Sequence, residues 1–425
     1  MKNDGVSLSM GTGSSVVIDK CQVCSSKELK SILFLGYLPP VNTLTLIDSL
    51  PKERPSYPAE ILLCSKCGLI QMGLAVDPKI LFPPEYPYTS STTKILRENF
   101  QELYRETISL IRIDKNDLVV DIGSNDGNLL SNFQNDHKVQ GVTPEEIGKI
   151  AVAKGIPTIF SYFNEKVVDE ILGTSGKAKI ITATNVFAHM ENIHEVIKQI
   201  LRLLTDDGVF ISESHYLLPL VENLQYDTIY HEHLRYYSLH SLQYLLELHG
   251  LEIFHVKQIP THGGSVRVYA AKKGKFKTRP TVESLLQKEK DTVSYENLLK
   301  FKEKVVMSKL ALLKMFHEIK VTKKSVVGIS APSRASTLIN YVGIDDGILD
   351  SIMEIEGSHK IGKYVPGTLI PILHEKNLYK DQPNFALIFS WHIADELIPK
   401  LKKMGFRGDF IVPLPVPKII RNDEV

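Results

Sequence analysis

The segment Gln225-Tyr-Asp-Thr-Ile-Tyr230-His231-Glu232-His233-Leu-Arg-Tyr236-Tyr237-Ser238 carries the densest group of titratable side chains in the chain. Histidine titrates near neutral pH and an adjacent glutamate can orient or tune it, so the cluster suits acid/base work; a solvated polar turn is the alternative. Histidines two residues apart do not match the metalloprotease helix, which needs a spacing of four. Farther on, Pro260-Thr-His262-Gly263-Gly264-Ser265-Val-Arg267 sets two glycines beside an imidazole, a hydroxyl and a guanidinium. It reads either as a loop whose backbone approaches an anionic ligand, with Arg267 suited to a phosphate, or as a plain loop entering the strand Val266 to Ala270.

All four cysteines fall in two short pairs, Cys21-Gln-Val-Cys24 and Cys64-Ser-Lys-Cys67. Paired thiolates across a long insert match a tetrahedral zinc site, and four of them leave no open position, which makes the metal structural; two disulfides or unrelated thiols are the alternative. Leu118-Val-Val-Asp121 followed by Ile122-Gly123-Ser-Asn125-Asp-Gly127 reads as a strand, a glycine turn and a helix, the first turn of a nucleotide-binding sheet. Only Gly123 and Gly127 are present, a spacing that departs from the dinucleotide G-x-G-x-x-G. Asp121 is placed to meet the amino-acid end of a ligand, or to cap the turn. The next strand ends at Gly141-Val-Thr143-Pro-Glu145-Glu146. A ribose would want an acid where Thr143 stands; Glu145 and Glu146 either replace it or only favour a helix dipole.

The elements that must position these residues follow from periodicity. Apolar runs at Leu118–Asp121, Val139–Val142, Ala178–Thr182 and Gly208–Ser212 alternate with helical stretches and predict a parallel, doubly wound sheet. A second alternating region starts near Ser325, with strands expected at Ile352–Ile355, Phe385–Phe389 and Gly408–Val412. Between them, Thr278 to about Lys320 predicts long helices. Prolines at 78, 83, 84 and 87 predict an extended connector from Asp77 to Ser91, and a helix should run from Lys94 to about Ile111. The expected division is a zinc-binding domain over 17–80, a sheet domain over 81–275, a helical connector over 276–320 and a Rossmann-like domain over 321–425. Fifty Lys plus Arg against 49 Asp plus Glu, a formal charge of +1, give no global field for nucleic acid or an anionic membrane. There is no apolar run of about 18 residues to span a bilayer, so the cytoplasm is the expected compartment.

From Cys21 to about Pro415 the chain resembles the bacterial sugar C-methyltransferases of deoxysugar biosynthesis. The resemblance rests on the paired cysteines, DIGSNDGNLL, TNVFAHM, YDTIYHEHLRYYSL, HGGSVRVYA, KYVPGTLIPI and WHIADE, in that order. It implies an α/β protein with a central class I methyltransferase-type sheet, a small N-terminal zinc-binding domain and a C-terminal Rossmann-like domain. The implied methyl donor is S-adenosylmethionine, bound around Asp121, Gly123, Asn125, Gly127, Thr143 and Glu145. The implied substrate is a nucleoside-diphosphate 4-keto-deoxysugar, methylated at C3 after the proton beside the C4 ketone is removed. His233 matches the family's proposed base, with Tyr230 and Glu232 beside it; His189 and Tyr88 match other active-site positions. His231, His262, Gly263, Gly264, Ser265, Arg267 and Arg334 are the expected substrate-side residues. The chain departs from the family at Thr143, at Ser330-Ala-Pro-Ser-Arg334, where the family carries a glycine loop, and at Trp391-His392. An epimerase using the same enolate, or a non-catalytic sugar-nucleotide-binding relative, are the competing readings.

Overall fold

The computed structural model describes residues 14–49, 53–82 and 94–424. Tyr88 and most of the proline-rich connector lie outside the described residues. The described part of that connector departs from the extended expectation, because Pro78–Leu81 forms one helical turn. Pro78 stands at the start of that turn, where a missing N–H costs nothing, and the Asp77 carboxylate accepts from Lys79 N at 2.9 Å.

The central sheet has seven strands in the order Leu251–Ile259, Ser265–Lys272, Leu204–His215, Ala178–Thr184, Leu118–Ile122, Lys138–Val142, Thr158–Ile159. The last five run parallel; Ser265–Lys272 is antiparallel to both its neighbours. Leu118–Ile122 is buried at every position, as a strand covered on both faces requires. Strand order reverses between Leu118–Ile122 and Ala178–Thr184, which opens a crevice at their C-terminal ends. Helix Lys94–Leu110 covers one face. After the glycine turn, where a helix is expected, there is only a 3-10 turn at Leu130–Asn132. Ser131 Oγ and Asn132 Nδ2 bond to the Asn128 carbonyl, so polar side chains take the acceptor that a continuing helix would use.

The second sheet has eight strands: Lys418–Ile420, Asp409–Val412, Phe385–Ile388, Val326–Ile329, Ser351–Glu354, Pro371–His374, Lys363–Tyr364 and Thr45–Leu46. The five from Asp409–Val412 to Pro371–His374 are parallel, and their order reverses between Val326–Ile329 and Phe385–Ile388. Helices Pro280–Thr292 and Tyr295–Val321 join the two sheets along the chain.

The N-terminal region is woven into both. Leu29–Leu38, Tyr57–Cys64 and Ile70–Met72 form an antiparallel sheet completed by Arg235–Tyr236, from the segment with the clustered histidines. Thr45–Leu46 becomes the edge strand of the second sheet. Ile32, Ile61 and Met72 share a core with Phe301 and Leu338, whereas Cys21, Val23 and Leu69 share one with Tyr237 and Leu242. Among the described residues, no helix is long and apolar enough to cross a membrane.

Candidate active site and metal centre

The two cysteine knuckles face each other. Cys21 Sγ lies 3.4 Å from Cys67 Sγ, Cys24 Sγ lies 3.4 Å from Cys64 Sγ, and all four sulfurs fall within 4.8 Å of one another. Sulfurs sharing a tetrahedral zinc at about 2.3 Å would stand about 3.8 Å apart, close to this arrangement. A disulfide would need about 2.05 Å, so the thiols are unbridged. The donor set fits zinc, which would cross-link the knuckles.

The crevice of the central sheet is shaped by its glycine turn. Gly123 has φ +77°, and a Cβ there would sit 2.4 Å from Val186 Cγ1, so only glycine fits. Asn125 also takes a positive φ, and its amide donates to Glu145 Oε2 at 3.2 Å. Burial pushes the Glu145 carboxyl up from its ordinary range, while Asn125 holds it back. Thr143 is buried with its methyl against Gly148, and Glu146 pairs on the surface with Lys149. Of the three positions, Glu145 alone brings a carboxylate onto the glycine turn. Asp121 is buried and accepts from Thr182 Oγ1 at 2.6 Å; burial pushes it up to about 7, with Thr182 pulling down and Glu213 adding repulsion. Ser124 Oγ and Asn128 Nδ2 are buried without a hydrogen-bond partner among the described residues, which suits a pocket completed by a polar ligand.

At the C-terminal ends of the same strands the histidines converge. His189 follows Ala178–Thr184, His215 ends Leu204–His215, His262 sits in the turn before Ser265–Lys272, and His233 lies in the clustered segment. The His233 ring is 4.3 Å from Tyr230, 5.0 Å from His189 and 6.2 Å from His215. His233 Nδ1 faces the Thr228 carbonyl at 3.1 Å, which can only accept, so the proton resides on Nδ1 and Nε2 keeps its lone pair. Burial, then repulsion from His189 and His215, holds this imidazole well below the usual histidine range, while its surface is still partly open. His189 Nδ1 is held 2.6 Å from the Glu232 carbonyl. His215 Nε2 meets Gln225 Oε1 at 3.2 Å, leaving His215 Nδ1 and His262 Nε2 buried without partners among the described residues.

The opposite wall comes from the reversal point of the second sheet. Arg334, at the start of helix Ser333–Val342, donates to the His262 carbonyl at 3.0 Å and to His392 Nδ1 at 3.0 Å. Its guanidinium carbon stands 5.6 Å from the Trp391 ring centroid, and Trp391 Nε1 donates to Asp227 at 2.8 Å. The reversal point of the second sheet thus meets the His262 turn of the central domain directly.

Several sequence expectations need correction. Arg267 does not meet a phosphate: it is fully buried, with Nε 2.6 Å from Glu213 and Nη1 2.7 Å from Glu106, and it also binds Glu102 and Asn99. Gly263 and Gly264 are required by protein neighbours, since Cβ atoms there would meet Gln225 Oε1 at 2.9 Å and Pro219 Cγ at 2.6 Å. Ser265 Oγ is spent on the Thr261 carbonyl. His231 Nε2 is taken by the Pro58 carbonyl at 3.2 Å. Glu232 is reached by Asn42 Nδ2 at 2.7 Å. The sequence reading missed His215, which a strand-end histidine could have signalled, and Asn42 and Lys360, for which no local signal exists.

A family model of a methyltransferase domain matches residues 96–256, a zinc binding domain matches 21–82, and a C-methyltransferase C-terminal domain matches 260–415. The C-methyltransferase NovU of Streptomyces niveus is 31% identical over 412 residues, covering 95% of this chain and 97% of that protein. The chain belongs to this C-methyltransferase family. Among solved structures, the magnesium protoporphyrin IX methyltransferase of Synechocystis PCC 6803 with bound SAM is 13% identical, covering 42% of this chain and 79% of that one, with a TM-score of 0.31. The YcgJ protein of Bacillus subtilis is 14% identical over 42% of this chain and 100% of that one, with a TM-score of 0.32. The C-methyltransferase is an S-adenosylmethionine-dependent enzyme with a zinc-binding domain, which replaces the epimerase and non-catalytic readings. The matched C-terminal domain begins at residue 260, so it includes Ser265–Lys272, a strand that in space belongs to the central sheet.

Proposed function

We propose that this C-methyltransferase alkylates the carbon beside the ketone of a nucleoside-diphosphate 4-keto-deoxysugar, at C3, through an enolate. The observation that carries the reading is the convergence of His189, His215, His233 and Tyr230 beside the His262 turn, against which Arg334 and His392 pack. A carbon next to a ketone becomes nucleophilic only when its proton leaves, so the site needs an unprotonated base and donors for the developing oxyanion. His233 supplies the base: its Nδ1 proton is pinned by Thr228, burial keeps it neutral, and Nε2 is left to take the C3 proton. Tyr230, its ring tilted against that of His233 at 4.3 Å, is a donor for the oxyanion. The unpartnered His215 and His262 nitrogens suit sugar hydroxyls. Lys360, whose Nζ donates to the Ala331 carbonyl at 2.6 Å, brings positive charge to the C-terminal wall, where a diphosphate would lie, beside Arg334, whose own charge is partly met by Asp227 at 3.7 Å.

S-adenosylmethionine supplies an electrophilic methyl on its sulfonium when bound. Gly123 and Asn125 would seat it, and Glu145 would accept from its ribose hydroxyls. The protein's remaining work is to hold C3 in line with that methyl and keep water out. The test is exchange of the C3 proton with solvent deuterium in the absence of donor. His233→Asn should slow exchange and turnover by about 10²-fold or more while donor affinity stays unchanged. Exchange at the wild-type rate would remove His233 as the base.

A further inference from the structure

We propose that the zinc knuckle clamps the catalytic segment, with Gln71 and Gln22 as positioning residues for His233. The proposal rests on the reading of His233 as the base. Among the described residues His233 makes only local hydrogen bonds, its N to Tyr230 O at 3.0 Å and its Nδ1 to Thr228 O. Its neighbours on both sides are held by the N-terminal module. Before it, His231 bonds to Pro58 O, and Asn42 donates to Glu232. After it, the Leu234 carbonyl accepts from Met72 N at 3.0 Å, and Arg235 and Tyr236 pair with Gln71 and Ile70.

The chain of contacts then runs into the metal centre. Gln22 lies inside the first knuckle, between Cys21 and Cys24, and its Nε2 reaches Leu234 O at 3.4 Å. Gln71 lies four residues past Cys67 and is fully buried; its Oε1 accepts from Gln22 N at 2.8 Å and its Nε2 donates to Lys20 O at 3.2 Å. A buried amide satisfied at both ends has one orientation. It therefore transmits the position of the cross-linked knuckles to the strand Ile70–Met72 and so to the residue after the base. Misplacement of a base by about 1 Å can cost about 10²-fold, so partial loosening should be visible in the rate.

Gln71→Met keeps the length and removes both hydrogen bonds. In the zinc-loaded full chain, zinc content and donor affinity should stay as in wild type. The kcat and donor-free C3 deuterium exchange should both fall on the order of 10-fold with KM changed less than about twofold, and the downfield Nδ1 proton of His233 should shift or broaden in NMR of histidine-labelled protein. If Gln71→Met does not fold, Gln22→Met, whose side chain is partly exposed, carries the same test. A lowered melting temperature with wild-type exchange and an unmoved Nδ1 proton would overturn the clamp. His233→Asn separates the two readings. Exchange persisting in that variant defeats His233 as base and the clamp with it, whereas exchange lost there but intact in both glutamine variants defeats the clamp alone.

Discussion

Replacing Arg267 by methionine should destabilise the central domain rather than impair substrate binding. The guanidinium is fully buried and touches Glu213, Glu106 and Glu102, of which Glu213 is equally buried. Glu106 and Glu102 keep other partners in the variant, His255, Tyr269 and Lys257. Among the described residues Glu213 keeps only the Asn99 amide, at 2.9 Å. Burial already pushes the Glu213 carboxyl up, and the Arg267 charge is the chief opposing influence. Breaking a buried pair by removing one partner costs about 3–5 kcal/mol. At about 2–4 °C per kcal/mol for a domain of this size, the melting midpoint should drop on the order of 10 °C at pH 7. The sign of its pH dependence follows. With its folded pKa raised above the unfolded value, Glu213 in the variant favours unfolding at neutral pH, so the deficit against wild type should shrink as pH falls toward about 5. Calorimetric scans at pH 7 and pH 5.5 measure both effects. A variant that melts like wild type but shows a raised KM for the sugar nucleotide would refute the reasoning and return Arg267 to the substrate.

Glu145→Gln should weaken S-adenosylmethionine binding by about tenfold, the equivalent of one lost charge-assisted hydrogen bond, and titration calorimetry showing unchanged affinity would exclude Glu145 from the ribose site. The protein should also unfold in mild acid. Burial foremost holds His215 and His392 at about 3 and His231 and His262 at about 4, with Arg334 adding to the shift for all of these but His231. The unfolded chain takes up these protons near pH 6.5, so their contribution to stability is full above that pH and is lost as pH falls toward 4 to 3, at about 1.4 kcal/mol per pH unit for each imidazole. A circular-dichroism titration should place the midpoint near pH 5, and a midpoint below pH 4 would contradict the buried neutral imidazoles.

The features legible in the sequence are those written at short range. Cys21 with Cys24 and Cys64 with Cys67 define chelating pairs by spacing alone. Leu118–Ile122, apolar but for Asp121, and Val326–Ile329 declare themselves as central strands by their apolar runs, and the positive φ of Gly123 follows from its place in the turn. Partner choice was not legible. His231 and His233 are two residues apart and chemically identical, yet one bonds to a carbonyl 173 residues away in the zinc-binding module while the other packs against His189, His215 and Tyr230. Arg267 looked like an anion ligand because its own neighbours are glycine, serine and histidine. Its carboxylates instead arrive from a neighbouring strand and from a helix more than 160 residues earlier. Glu145 and Glu146 are equally good helix-start acids, and only the fold of the glycine turn brings Asn125 to the first. A backbone pattern is decided by residues a few positions apart, because sterics and periodic burial act locally. The fate of a polar side chain is decided by which opposite charge or carbonyl the packed chain carries to it, and that information is spread over hundreds of residues.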